Sequence, residues 1–176
     1  MEEIQVMEKR IGRLIAGAGA AALVAGFVGL AQSTVSATTA TSTFAVSATV
    51  SANCTIAAGA LAFTPYDPVV ANATANLDQT STITVACTKG STGVVSLDNG
   101  VNASGTIRRM KAGTNFLTYE MYSDSGRTTV WNATNTVSYT ALTKATTGVT
   151  LYGRVPAGQD VPVGSYTDSV IATITF

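Results

Sequence analysis

Cys54 and Cys87 are the only two cysteines of the chain, and histidine is absent altogether. Lack of His removes the commonest general base and the commonest imidazole metal ligand, so no Ser-His-Asp set can form. Glu120 has no second carboxylate placed for the acid/base pair of a glycosidase. Asp67, Asp124, Asp160 and Asp168 are the carboxylates one would offer to calcium, but their spacing matches no metal loop, and they read as caps of turns. Asp124, close to Arg127, is expected to close its turn by an ion pair worth under about 1 kcal/mol if exposed. Gly153 and Gly158 are spaced as in a phosphate loop, yet no Lys-Ser/Thr follows, so they read as turn residues. Asn53, Asn72, Asn102 and Asn132 each open an N-x-[ST] triplet, which a chain so rich in Ser and Thr produces by chance, and they are assigned to loops without sugar. The chain therefore reads as no enzyme, with no cofactor and no metal.

The remaining chemistry is that of the cysteines. In an oxidising compartment Cys54 and Cys87 can pair with each other and leave none over. Closing that loop removes roughly 3–4 kcal/mol of unfolded-chain freedom on the chain-entropy view. The alternatives are two structural thiols or half a metal site, and two cysteines without His nearby serve zinc poorly.

Composition narrows the class further. Only 11% of the 176 residues are charged, against about a quarter in ordinary soluble domains. Thr, Ala, Val, Ser and Gly dominate, and such small and β-branched residues favour pleated, tightly packed strands over helices. Formal net charge is zero. Arg108, Arg109 and Lys111 make the only basic cluster of the mature part, with no aromatic interleaving close by, so nucleic acid is not an expected partner.

Three segments organise the chain. Lys9, Arg10 and Arg13 precede an apolar run over 14–30, and Val35-Ser36-Ala37 follows as an A-x-A-like site. Residues 1–37 thus read as a cleaved Sec signal peptide, with translation starting at Met1 or Met7, and no membrane span is expected after cleavage. The apolar run carries Gly17, Gly19, Gly26 and Gly29, which makes it a short and weak anchor. Residues 38–50 form an extension in which Phe44, Val46, Ala48 and Val50 share one side of an extended backbone. Residues 51–176 form one domain.

Within that domain alternating stretches predict strands over 80–88, 93–97, 116–122, 137–142, 148–155 and 165–176, with a further return starting at 129–131. Ile83, Val85 and Cys87 share one face, which places the second cysteine inward. Asn99-Gly100 marks a turn, and Pro65-Tyr66-Asp67-Pro68 breaks any regular element. Residues 71–79 read as loop. Trp131 is assigned to the core or its edge. Many short strands divided by Gly, Asn and Pro turns predict an all-β sandwich. In 165–176, Tyr166, Asp168, Val170, Ala172, Ile174 and Phe176 share a largely apolar face, and the sequence stops without an element to cover it. The extension 38–50 is expected to serve as the missing strand of another copy.

The order and identity of VSANCTI (50–56), LAFTPYDP (61–68), ITVACTKG (83–90), VSLDNG (95–100), RRM (108–110), LTYEMYSDSGRTTVWN (117–132) and YGRVPAGQDVPVGSYTDSVIATITF (152–176) resemble the spore coat protein U domain, which includes the major pilins of archaic chaperone-usher pili. The resemblance spans nearly all of the mature part. It implies an incomplete immunoglobulin-like β-sandwich lacking its last strand and completed by donor strand exchange. A periplasmic chaperone would lend a strand, an outer-membrane usher would exchange it, and the extension of the next pilin subunit would fill the vacancy. By position, Phe44, Val46, Ala48 and Val50 would form the donor strand, and Tyr166, Val170, Ala172, Ile174 and Phe176 would belong to the strand bordering the acceptor groove. The implied product is a surface pilus for adhesion and biofilm formation, reached by Sec export through the periplasm. The alternatives are a spore or cell coat component assembled by the same exchange, and a small surface-binding, adhesin-like module.

Overall fold

The structure, a computed structural model, describes residues 35–176. The expected leader, with its basic flank and apolar run over 14–30, lies outside the described residues apart from Val35-Ser36-Ala37. The chain divides into two units, Met1–Val46 and Ser47–Phe176. In the first, residues 35–46 form no strand or helix, and their side chains, Phe44 and Val46 included, are exposed. Residues 47–53 of the second unit are likewise irregular, with Ala48 and Val50 exposed. The extension over 38–50, expected to act as a strand in another copy, thus forms no strand within its own chain. An alternating stretch becomes a strand only when a neighbouring strand takes up its N–H and C=O groups.

The second unit is built of eight strands: β1 (Cys54–Ala58), β2 (Leu77–Cys87), β3 (Thr92–Leu97), β4 (Arg108–Ala112), β5 (Asn115–Tyr122), β6 (Val137–Thr140), β7 (Thr147–Val155) and β8 (Ala172–Thr175). They form a five-stranded sheet in the order β1-β2-β7-β5-β4 and a three-stranded sheet in the order β6-β3-β8. Every pairing is antiparallel. The inward faces supply the core, with Ile83, Val85 and Cys87 from β2, Leu117, Tyr119 and Met121 from β5, and Val95 and Leu97 from β3. These are the faces that alternation in the sequence marks as apolar. Trp131 is wholly buried and donates its indole N–H to the Val95 carbonyl at 2.8 Å, which satisfies the one polar atom of the largest core side chain.

β1 and β2 place Cys54 opposite Cys87, and the two are joined as a disulfide with Cα atoms 4.1 Å apart. The cross-link ties an edge strand to the interior of the larger sheet.

Several boundaries differ from the sequence-based expectation, for physical reasons. β2 begins at Leu77 rather than at 80, because Leu77, Asp78 and Gln79 find partners in Val155, Arg154 and Gly153 of β7. The return at 129–131 reduces to one bridge, Tyr122 to Val130. β4 was expected only as a basic cluster; Arg109, Met110 and Lys111 instead pair with Thr118, Leu117 and Phe116. Arg108 leaves that cluster for the interior and is 1% exposed. Its guanidinium donates to Glu120 and to the carbonyls of Asp98 and Trp131. A buried cation needs such a full set of acceptors.

Candidate functional site

β8 pairs with β3 on one side, through Val94–Thr175, Val95–Ile174, Ser96–Thr173 and Leu97–Ala172. Its other side has no ladder partner among the described residues. Across from that free edge lies the end of β1 with the segment that follows it. Between the two is a cleft of about 270 Å³, with Ala58, Gly59, Leu61 and Phe63 on one wall and Val170 and Ala172 on the other. Its floor is core side chain, including Ile83, Leu97, Met121 and Leu151. A second cavity of about 660 Å³ shares Leu61, Phe63, Met110 and Tyr166 with the first and runs on to Leu77, Val155 and Val161. The two cavities meet at those four shared residues, and the smaller one, lined by Ala172 of β8, is the part beside the open edge.

Gly153 on β7 explains how the groove wall lies so close to the sheet. A Cβ there would come within 2.6 Å of the Leu61 side chain and 2.9 Å of Phe63. The bare backbone thus seats both side chains. Phe63 packs edge-on to Tyr119, with ring centroids 6.4 Å apart.

The other wall is the run 165–176, and its course differs from the single strand expected. Only Ala172–Thr175 is strand. Thr167 exchanges hydrogen bonds with Lys111 at 2.8 and 3.1 Å, so this part is held by β4 of the larger sheet. Further on, the Ser169 carbonyl accepts from Val101 and the Ile171 carbonyl from Asp98, both at 3.0 Å, which carries the chain to the smaller sheet. The run crosses between sheets and so cannot be one uninterrupted ladder. The predicted facing survives: Tyr166, Asp168, Val170, Ala172 and Ile174 are half-buried while their neighbours are exposed. Phe176 departs from it and is 53% exposed.

Asp168 fixes this crossing. Its carboxylate accepts from the Tyr119 hydroxyl at 2.7 Å and from the backbone and side-chain N–H groups of Asn102 at 3.0 and 2.9 Å. Burial, with the Asp168 carboxylate beside it, pushes the Tyr119 phenol far above its ordinary value, which keeps it a donor. Gly100, at a φ of +82°, lies so close to Asp168 that no side chain fits there. The role of the Asn99-Gly100 pair is thus to clear space for the crossing segment. The other loop carboxylates also serve local structure. Asp67 is held below the usual carboxylate range by the N–H groups of Val69, Val70 and Ala71. Asp124 is lowered by the N–H groups of Thr129 and Thr128. Its oxygens are taken by those groups, so the expected pair with Arg127 does not form; Arg127 reaches Asp78 at 3.4 Å. Among the described residues no group of three His, Cys, Asp or Glu side chains is placed to hold a metal ion.

The groove sits on a sequence pattern with known relatives. The model of the Spore Coat Protein U domain matches residues 40–173. The chain belongs to the Spore Coat Protein U domain family. Protein U of Myxococcus xanthus is 39% identical over 165 residues, covering 84% of this chain and 90% of that protein. A solved structure with a similar fold is a chain in the crystal structure of the CsuC-CsuE chaperone-tip adhesion subunit pre-assembly complex from archaic chaperone-usher Csu pili of Acinetobacter baumannii. It matches with a TM-score of 0.53 at 22% identity, over 73% of this chain. The match spans 40% of that chain's length, and the likeness is one of fold. The Spore Coat Protein U domain described here is thus an all-β, incomplete immunoglobulin-like sandwich, open beside β8.

The part of the site that sequence reasoning missed is its far wall. Leu61, Phe63, Met110 and Val161 were visible only as apolar residues among turns. The signal available was Leu61 and Phe63 alternating in a stretch with no assigned partner.

Proposed function

We propose that this protein is a structural subunit of a surface fibre of the archaic chaperone-usher pilus type, joined by donor strand exchange. Residues 38–50 of one copy would enter the groove of the next and pair with the free edge of β8, with Phe44, Val46, Ala48 and Val50 facing its apolar floor. The observation that carries this reading is the open cleft beside a strand that has one free edge among the described residues, in a chain whose exposed extension alternates with the same period. Export by a cleaved leader, a periplasmic chaperone covering the groove in transit, and an outer-membrane usher effecting the exchange belong to the same proposal. The disulfide fits an oxidising route.

The energetics favour exchange coupled to folding. Burying Phe44, Val46 and Val50 is worth about 1.5–3 kcal/mol each. About ten ladder bonds add about 0.5–1.5 kcal/mol each, and ordering about ten residues costs about 1–2 kcal/mol apiece. These contributions nearly cancel, so the net gain comes from the acceptor completing its own core. The lone subunit is then marginal and the polymer long-lived.

Replacing Val46 by Asp tests the donor face. The variant should accept a strand but not donate one, ending any fibre it joins, and ladders resistant to SDS until boiling should shorten. Fibres of normal length from this variant count against the assignment. A coat component assembled by the same exchange is the second reading, favoured by the family match and the likeness to Protein U. Genes for a chaperone and an usher beside this one decide for the pilus, and their absence for the coat. Adhesion and biofilm formation would follow from the pilus.

A further inference from the structure

The outer face of the five-stranded sheet holds two cations with no carboxylate partner among the described residues. On β4, Arg109 and Lys111 lie on the side opposite Arg108 and Met110, which point into the molecule. Both approach the ring of Phe116, the register partner of Lys111 on β5. The Arg109 guanidinium carbon lies 4.1 Å from the ring centroid and the Lys111 Nζ 5.8 Å from it. Arg108, Arg127 and Arg154 each have a carboxylate partner; among the described residues Arg109 and Lys111 have none. Two like charges therefore converge on one ring without a counter-charge. In a chain where only 11% of residues are charged, that repulsion is conspicuous, and a bound anion relieves it.

The geometry further limits the anion. Arg109 is held flat by Phe116 and by donation of its Nε–H to the Asn102 carbonyl at 3.1 Å. Its terminal N–H groups have no acceptor among the described residues. A pre-set planar fork of this kind matches a carboxylate in two-point contact. Lys111 adds a point charge near the same ring, suited to a second carboxylate of the same ligand. Nucleic acid fits less well, because it needs several phosphate contacts and an open ring face for stacking, and the guanidinium covers Phe116. An anionic membrane would call for a set of apolar residues to enter it, whereas Thr118 is the register partner of Arg109 on this face and Ile107, 55% exposed, is a single aliphatic side chain beside the cations.

We propose that Arg109 and Lys111, set about Phe116, form a binding site for the carboxylates of a uronate-bearing polysaccharide. The site is complete within one copy. Its repetition along a fibre rests on the assembly reading above and would raise a weak single-site affinity through multivalency.

The test is binding of the full chain, unassembled and assembled, to polygalacturonate at low ionic strength, with dextran and duplex DNA as comparison polymers. The unassembled chain should bind polygalacturonate in preference to both. Arg109→Gln with Lys111→Gln should weaken this by about tenfold or more, with the chain still folded and its melting temperature lowered only slightly by loss of the Asn102 and Phe116 contacts. Arg109→Lys alone should also weaken it, because the charge stays and the fork is lost. Lys89→Gln with Lys144→Gln removes the same charge from other exposed positions and should leave binding as it was. Equal loss in that control, equal binding of dextran or DNA, or no binding by the unassembled chain overturns the site. Binding by single chains without a gain on assembly counts against the fibre reading and leaves the site standing.

Discussion

β7 and β8 are both Thr-containing, alternating antiparallel strands, yet β7 runs for 9 residues and β8 for 4. The difference lies in their neighbours. β7 pairs with β2 along its whole length and with β5 over Tyr152–Arg154, so one continuous ladder holds all of it. β8 has only β3, and the residues before it divide their bonds between Lys111 of one sheet and Val101 and Asp98 of the other. Strand length in this protein follows the supply of partners more than the propensity of the residues. The β7 side is the interior of a sheet, and the β8 side is a sheet edge with no ladder partner among the described residues.

The change that disturbs this contrast most is removal of Arg108. It connects β4 to Glu120 of β5 and to the Asp98 carbonyl just beyond β3, so it ties the two sheets together beside the crossing segment. Arg108→Ala should cost about 3–5 kcal/mol, because Glu120 and two carbonyls lose their buried cation. Paired replacement, Arg108→Met with Glu120→Gln, should recover part of that. Chemical denaturation of the three proteins reads both effects.

A smaller change acts on a wall of the groove from the β7 side. Gly153→Ala must push Leu61 and Phe63 outward, at about 1–3 kcal/mol. Because both residues line the groove, this variant should also gain less from an added strand than the parent does. A melting comparison with and without that strand separates loss of stability from loss of acceptance.

The smallest effect belongs to the pairing of β2 with β7. Arg154 donates to Asp78 through two nitrogens, at 2.7 and 2.8 Å, and holds its carboxyl below the ordinary value. A lowered folded-state pKa means the pair stabilises above the unfolded value, about 3.9, and the contribution is lost as pH falls through the folded value. The pair is partly exposed and screened, so under about 1 kcal/mol is at stake. Melting of wild type and Arg154→Gln should differ slightly at neutral pH and converge in acid.

The same contrast explains what could be read in advance. Ile83, Val85 and Cys87 on β2 and Leu117, Tyr119 and Met121 on β5 lie where alternation put them, because both strands are flanked on each side. The disulfide was legible from two cysteines in a chain expected to be exported, and the register of β1 on β2 realises it. β4 was hidden by its own charges: Arg108, Arg109 and Lys111 look alike in sequence, and only the pleat sends the first inward and the other two out. The strand expected over 165–176 was overextended, since alternation records which side a residue faces and not which sheet holds the backbone. Residues 41–50 alternate as cleanly as any strand here and form none, because alternation alone supplies no partner for the backbone N–H and C=O groups.

The central claim is that the groove beside β8 takes residues 38–50 of another copy. Fusing a copy of that segment behind Phe176 through a flexible linker supplies the strand within one chain, and thermal melting then measures what it contributes. A melting temperature well above that of the unfused subunit is predicted, with the gain abolished by Asp at the fused copy's equivalent of Val46. A melting temperature no higher than that of the unfused subunit contradicts the account.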